Sequence, residues 1–519
     1  MHRALEIPEI VQMICVYLSW HRSALAALAR TCQAFQGPGL DLLWHTQKSF
    51  KPLLCCIPAD LFDFNDGDTS TLRAWALRRP IMSADWARLI SNTARIRDFT
   101  IGLESEGRRI LPTLRRFLPG GLLFQNLKTL GWFAIDSAID FKYIQMFFSP
   151  TLSGLTFGCG PSIANISLLS ALAYTCPKLR QVSIDLLNDY EGVAGSTVIY
   201  SLPRIESLSM GRLTLAGLEY IGRLPTLKSL CLESLPVIPD VVPSSDLFPA
   251  LRDLELHGID VTSAPQFFRM YSEAPLKSIH VSSSVFLPSP AADDLLLTIT
   301  NSTSHSGVTS IKLESEGGNY MEVLGRDPDD STFALRDRTL RILFCFSNIT
   351  SLSLESARGF DISDVTIADA AQAWPRLESL ELTTASQYTP VPLMLLSLYH
   401  LARYCSHLRS LEMTFDATTI PSTAVPVVTQ QQLISMDVAS SPLANSGAVA
   451  RFLSDIFPNL RTITALREHA DNEDLDELAT YSDEVARHNR WKAVVNLIPE
   501  FVATREEERA RGRTHDILF

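Results

Sequence analysis

Positive charge is what this chain most plainly lacks. Its 519 residues carry 45 Lys and Arg against 57 Asp and Glu, a formal charge of −12. That argues against a general nucleic-acid binder, which needs a cationic surface to displace counterions, and against charge-driven attachment to an anionic membrane. The nine cysteines include no CxxC pair, and Cys55–Cys56 has no partner at zinc-ligand spacing. They read as buried free thiols in a reducing compartment. No apolar run approaches the ~20 residues that span a bilayer, and the opening MHRALEIPEI lacks the basic and apolar regions of a signal peptide. The expectation is a soluble intracellular protein, cytoplasmic and/or nuclear. Also missing are GxGxxG, the Walker loop, GxSxG and HExxH, so no enzyme, cofactor or small-molecule substrate is expected. His400, Cys405 and His407 gather near one helix end, but in an apolar helical stretch. Asp327-Pro328-Asp329-Asp330 lacks the spacing and distal Glu of a calcium loop. No metal is expected from either.

What is present is one phrase written repeatedly: CPKLRQVSI from Cys176, LPRIESLSM from Leu202, LPTLKSLCL from Leu224, FPALRDLEL from Phe248, WPRLESLEL from Trp374 and FPNLRTITA from Phe457. Its second half alternates with period two, a strand signal. Its proline cannot extend a preceding helix. Looser copies fill the gaps. Anchored on the first apolar residue, they fall at Ile96, Leu127, Leu152, Leu179, Ile205, Leu227, Leu251, Leu276, Val308, Ile349, Leu377, Leu408, Leu433 and Leu460, fourteen units about 28 residues apart. Between anchors lie helical patterns such as TLAGLEYIGRL, APQFFRMYSEA and MLLSLYHLARYC. One strand plus one helix cannot bury its own apolar face, whereas stacked units bury a continuous core. An ordinary α/β domain with a parallel sheet is the rival.

This pattern resembles the long-unit leucine-rich repeat family over roughly residues 93–466. The resemblance implies an α/β solenoid, a horseshoe with parallel strands on the concave side and helices on the convex side. The family's Asn or Cys after the strand is mostly missing, which puts its side-chain ladder in question. The 314–347 stretch is an insertion. Its acidic, Gly-rich start reads as a loop, and FALRDRTLRILFCF reads as the unit's helix.

Residues 1–50 form a different, helical module. Ile7, Ile10, Val11, Ile14 and Leu18 share one helix face, and Pro8 sits at the opening turn. Leu25, Leu28, Ala29 and Cys32 make a second face, and Gly37-Pro38-Gly39 breaks the chain before Leu40, Leu43 and Trp44. Ile7-Pro8-Glu9-Ile10, Leu25 through Cys32 and Leu40 through Trp44 resemble an F-box in order and spacing. A departure is Trp20-His21-Arg22, where the family commonly has an acidic residue. The alternative is a cover for the solenoid's open end. Residues 51–92 read as a helical connector, with TSTLRAWALRRP and SADWARLISNTARI as short helices and Ser83 as N-cap of the second. Residues 467–519 read as a capping helix around Trp491–Val502 and a frayed charged tail.

An F-box followed by leucine-rich repeats resembles substrate receptors of cullin–RING ubiquitin ligases. The resemblance implies docking on the ligase's small adaptor subunit through Ile7, Pro8, Ile10, Ile14, Leu18, Leu25 and Leu28. It also implies capture of a target protein by the repeats, with no covalent chemistry of the chain's own; proximity is the contribution. The alternative is a repeat scaffold or inhibitor with no ligase link. On each strand the residues between and after the apolar pair point out of the sheet. Those columns hold eight carboxylates, Asp185, Glu233, Glu255, Glu314, Glu355, Glu381, Glu412 and Asp437, against a single lysine, Lys312. They predict a mildly acidic groove for a basic segment of the target, the alternative being a solvated surface of an acidic protein.

Overall fold

The computed structural model describes residues 7–62, 77–101, 110–134, 143–159, 169, 171–186, 191–239, 247–260, 263–270, 274–315, 331–384, 391–421, 428–465 and 478–516. The chain divides into two compact units, Met1–Leu232 and Glu233–Phe519.

The first unit opens with three helices, α1 (Pro8–Tyr17), α2 (Arg22–Ala29) and α3 (Gln33–His45). Six strands follow, β1 (Thr46–Gln47), β2 (Asp98–Ile101), β3 (Thr129–Ala134), β4 (Gly154–Cys159), β5 (Gln181–Leu186) and β6 (Ser207–Arg212), and then β7 (Ser229–Ser234), within which the unit ends at Leu232. They lie side by side in chain order, and the registered pairs from β1 to β6 are parallel. The second unit repeats this with β8 (Asp253–Ile259), β9 (Ser278–Ser283), β10 (Ser310–Ser315), β12 (Ser351–Ser356), β14 (Ser379–Thr384), β15 (Ser410–Glu412), β16 (Ser435–Asp437) and β17 (Thr462–Thr464), each parallel to the next. A separate ribbon pairs β11 (Leu335–Arg336) with β13 (Phe360–Asp361). Helices fill the connections and pack on their neighbours in sequence order. Ser263–Phe268 contacts Ser289–Ser302, which contacts Asp337–Ile342, and so on through Asp364–Ala373 and Leu395–Tyr404. This is an α/β solenoid.

The repeated phrase has a geometric meaning. Every anchor from Ile96 to Leu460 is buried and stands two residues before its strand. In five of the six quoted proline-bearing copies its N–H closes a turn back to the residue before the proline. Leu179 bonds Cys176 O (3.0 Å), Leu377 bonds Trp374 O (3.1 Å) and Leu460 bonds Phe457 O (3.2 Å). Proline therefore sits at the second position of a β-turn, where its fixed φ is already suitable. The phrase is a helix stop, a turn and a strand start in one. The apolar strand residues behind it, such as Leu254 and Leu256 or Leu380 and Leu382, are buried, and burying each side chain contributes roughly 1.5–3 kcal/mol before entropy is counted.

The side-chain ladder is present but displaced. Asn126, Asn348 and Asn459, each just before an anchor, donate to Ala94 O (2.9 Å), Ser306 O (3.0 Å) and Gln431 O (2.9 Å) of the preceding repeat. The helix layer has staples of its own. Asp337 accepts from Ser363 N (2.9 Å), and Asp364 accepts from Met394 N (2.9 Å) and from the Ser397 hydroxyl. Each carboxylate thus reaches the start of the next repeat's helix.

Several local expectations need correction. Gly37-Pro38-Gly39 does not break the chain, because α3 runs through Pro38 without a stop. A proline there removes one helical bond, but Gly39 lets the helix lie directly on α2: a Cβ at Gly39 would stand 2.8 Å from the Ala29 Cβ. Ser83 is not the cap it was expected to be. It is the first residue of a 3-10 turn, and Asp85 caps instead by accepting the Met82 N–H at 2.8 Å. FALRDRTLRILFCF is not one helix but a 3-10 turn, β11, the helix Asp337–Ile342 and a second 3-10 turn. The charged tail continues a helix, Leu478–Asp516, whose Trp491, Val494 and Ile498 are buried. Alternating Glu and Arg are good helix formers. Most of TSTLRAWALRRP, the acidic start of the insertion and the Asp327–Asp330 run lie outside the described residues.

Candidate functional site

The N-terminal module builds its core from one stripe of α1. Val11 and Cys15 are buried with Leu25 and Phe35, and Ile14, Leu18, Leu28, Cys32, Leu42 and Leu43 pack around them. Of the residues expected to dock a partner, Ile7 and Pro8 are exposed, and Ile10, Ile14, Leu18 and Leu28 are half-buried. Leu25 does not belong to that face. It is 1% exposed, since α2 turns it inward onto α1 and α3. The outward apolar face lies on another stripe of α1. Met13, Val16 and Tyr17 are 70%, 50% and 84% exposed, at the i, i+3, i+4 spacing of a single helix side, and Trp20, in the turn that follows α1, is 90% exposed. Counted from Met13 the pattern is legible in the sequence, but counting from Ile7 hides it. With Ile14 and Leu18, Met13 and Tyr17 line an open, apolar groove of about 830 Å³.

This module is fastened to the repeats without a linker. His45 ends α3, and Thr46 and Gln47 pair at once with Asp98 and Phe99. The Arg97 N–H donates to His45 O (2.9 Å), and Arg95 pairs with Asp41. Arg22 donates to Leu43 O (2.8 Å) and Thr46 O (3.1 Å), tying α2 to the end of α3. The Asp98 carboxylate accepts from Thr46 (3.2 Å) and Thr129 (2.5 Å) and meets His45 (3.1 Å).

Six of the eight carboxylates expected on the strand face, Glu255, Glu314, Glu355, Glu381, Glu412 and Asp437, lie on strands of the second unit. Glu255, His280, Lys312, Ser353, Glu381, Glu412 and Asp437 form one in-register row across β8 to β16. The protein's own donors engage these groups. Glu314 meets His280 Nε2 at 2.5 Å and Lys312 Nζ at 2.7 Å. Burial pulls the Glu314 carboxyl upward, yet these hydrogen bonds outweigh it and hold it below the usual carboxylate range. Glu355 accepts from Ser315 N (2.8 Å) and Oγ (3.1 Å), Glu412 from Thr383 (2.9 Å), Glu381 from Ser379 (3.3 Å) and Asp437 from Ala439 N (2.8 Å). Ser282, expected to point outward, is fully buried.

In the first unit the corresponding row is uncharged, although Asp98 and Asp185 stand two residues before Thr100 on β2 and two residues after Ser183 on β5. Thr100, Gly131, Thr156, Ser183 and Ser209 form one in-register row over β2 to β6. They line an open groove of about 480 Å³.

His400, Cys405 and His407 do not converge. Burial holds the His400 imidazole below its usual value, and Arg403 adds to this against the pull of Asp364. Cys405 is fully buried, its thiol pushed up to about 12 by desolvation, while His407 faces solvent. A thiol that stays protonated is inert.

No model of a known protein family and no curated protein matches the chain. Among solved structures it is similar to a TLR13–ssRNA13 complex, with 13% identity over 72% of this chain and 53% of that chain and a TM-score of 0.37. It is also similar to the yeast Rad7 and Elc1 complex, with 12% identity over 70% of this chain and 77% of that chain and a TM-score of 0.34. The match to the TLR13 complex thus spans about half of that chain. Likeness at this level carries no argument about activity or partners; the solenoid rests on the strands, turns and helices themselves.

Proposed function

We propose that the chain is a non-catalytic receptor: an F-box-like N-terminal module docks on the adaptor subunit of a cullin–RING ubiquitin ligase, and the repeats hold a target protein. The observation that carries this reading is the exposed stripe Met13, Val16 and Tyr17, on a helix whose other side already completes the module's core, together with the exposed Trp20 in the turn just beyond it. A mere cover for the solenoid's end needs one apolar face, and α1 has two. Aromatic side chains present about 150–250 Å² each. With Met13, Val16 and Ile7 the stripe approaches the ~800 Å² that one partner contributes to a standard interface. The direct pairing of β1 with β2 leaves little freedom between docking module and repeats, as a device working by proximity requires.

Calorimetry of the full chain with purified adaptor tests the proposal. Binding by the wild type, abolished by Tyr17→Asp with Trp20→Asp at unchanged melting temperature, is the expected result. A folded wild-type chain that gives no heat with the adaptor refutes it and leaves a repeat scaffold or inhibitor with no ligase link.

A further inference from the structure

We infer that the groove on the strand face of the first unit is where a target is held, and that it takes an uncharged, extended peptide segment. This rests on the receptor reading above. None of the residues lining the groove is ionisable. Asp98, which accepts from the lining Thr129, also accepts from Thr46 and meets His45, so a charge buried against the groove would find no free counter-charge there, which is costly.

The wall has hydrogen-bonding capacity to give. Among the described residues, the side chains of Thr156, Gln181, Ser183, Ser207 and Ser209 make no hydrogen bond within the chain, whereas the polar groups on the second unit's strand face largely bond one another. Hydroxyl and amide groups both donate and accept, as does each residue of a peptide backbone. The row crosses five strands, β2 to β6. At ~4.8 Å per strand and ~3.3 Å per extended residue, about six residues of target span it. The glycines give the groove its depth: a Cβ at Gly131 would stand 2.9 Å from Thr100 Cγ2 and 3.3 Å from the Phe133 ring. Phe133, partly exposed at the rim, offers one apolar contact. A single ring is a poor platform for an oligosaccharide, so a peptide is favoured.

The test uses the full chain and fluorescein-labelled peptides long enough to span the groove, in three pools. One is drawn from Gly, Ser, Thr, Asn, Gln and Leu, and the others replace alternate positions with Lys and Arg or with Asp and Glu. By polarisation, the neutral pool is expected to bind at least about tenfold tighter than either charged pool. Ser183→Lys and Ser209→Glu should each weaken it about tenfold without lowering the melting temperature. The fold tolerates charge there, because the second unit carries Glu255, Lys312 and Glu381 at the same repeat position. Equal or better binding of a charged pool, no binding of the neutral pool, unaltered binding by both variants, or displacement by maltoheptaose would each overturn the inference. Tyr17→Asp with Trp20→Asp should leave peptide binding intact. An absent adaptor interaction therefore counts against the receptor reading alone.

Discussion

Gln430 offers the sharpest test of how the repeats are joined. The copy of the phrase anchored at Leu433 reads TQQQLISM and has no proline turn. The Gln430 side chain stands in its place. It is 3% exposed, Oε1 accepts the N–H groups of Gln432 and Leu433 at 2.9 Å each, and Nε2 donates to Leu408 O of the preceding repeat at 2.6 Å. One amide thus closes a turn and clips two repeats. Gln430→Ala strands two buried groups, Leu433 N–H and Leu408 O, while the Gln432 amide lies at an exposed residue where water replaces the bond. At about 1–3 kcal/mol for each unsatisfied group, the variant should lose about 3 kcal/mol. Urea unfolding followed by circular dichroism gives the global value, and hydrogen exchange at the Leu433 amide gives the local one, which matters in an array that opens repeat by repeat. Gln432→Ala, at the exposed neighbour, is the control and should cost under about 0.5 kcal/mol. If Gln430→Ala also costs that little, with unaltered exchange at Leu433, the turn is held by its backbone and the account of the side chain is wrong.

Two further predictions concern titration. Arg79 grips Asp85 at 2.7 and 2.9 Å and Asp60 at 2.7 Å, and hydrogen bonds from Arg79, then from Met82 N, hold the Asp85 carboxyl at about 2. A lowered carboxyl contributes stability above its unfolded value of about 3.9 that is lost as pH falls towards 2, so carboxyl NMR should show Asp85 titrating near 2 in the wild type and well above that in Arg79→Gln; no change on substitution counts against the clamp. With its thiol pushed up to about 12 in a fully buried site, Cys405 should escape iodoacetamide in the native chain at pH 8 while the exposed Cys55 is labelled, and mass spectrometry showing Cys405 alkylated in folded protein contradicts that burial.

Most of the fold was legible because its period is written in residues that cannot be exchanged freely. An anchor such as Leu377 must fill a buried site, and Pro375 must fit a turn. What escaped depends on a neighbour in the next repeat rather than on the residue's own position. Asn126, Asn348 and Asn459 looked like scattered polar residues until the stacking put a carbonyl of the preceding repeat within 3.0 Å of each. Gln430 is hidden for the same reason: its partner, Leu408 O, lies 22 residues away. Pro38 misled in the opposite direction. Proline signals a break, but close packing of Gly39 on Ala29 keeps α3 whole.

The site was less legible than the fold, and for a definite physical reason. Alternation says which strand residues face outward but not what each meets there. Counting charges on the outward columns picked out Glu314, Glu355 and Glu412 as a groove for a basic partner. Stacking puts His280 and Lys312 beside Glu314, Ser315 beside Glu355 and Thr383 beside Glu412. A carboxylate already accepting hydrogen bonds from its own sheet has less to offer a ligand than its formal charge suggests, since new contacts must replace existing ones. The hydroxyls of Thr156, Ser183 and Ser209 attract no notice in a sequence, because serine and threonine are common and uncharged. Yet they carry unspent hydrogen-bonding capacity in a groove with no ionisable residue in its wall. Recognition is better sought where polar groups are present and unpaired than where formal charge is highest. In the N-terminal module the apolar equivalent holds: the residues with surface left to offer are Tyr17 and Trp20, which the fold leaves uncovered, not Leu25, which it has already used.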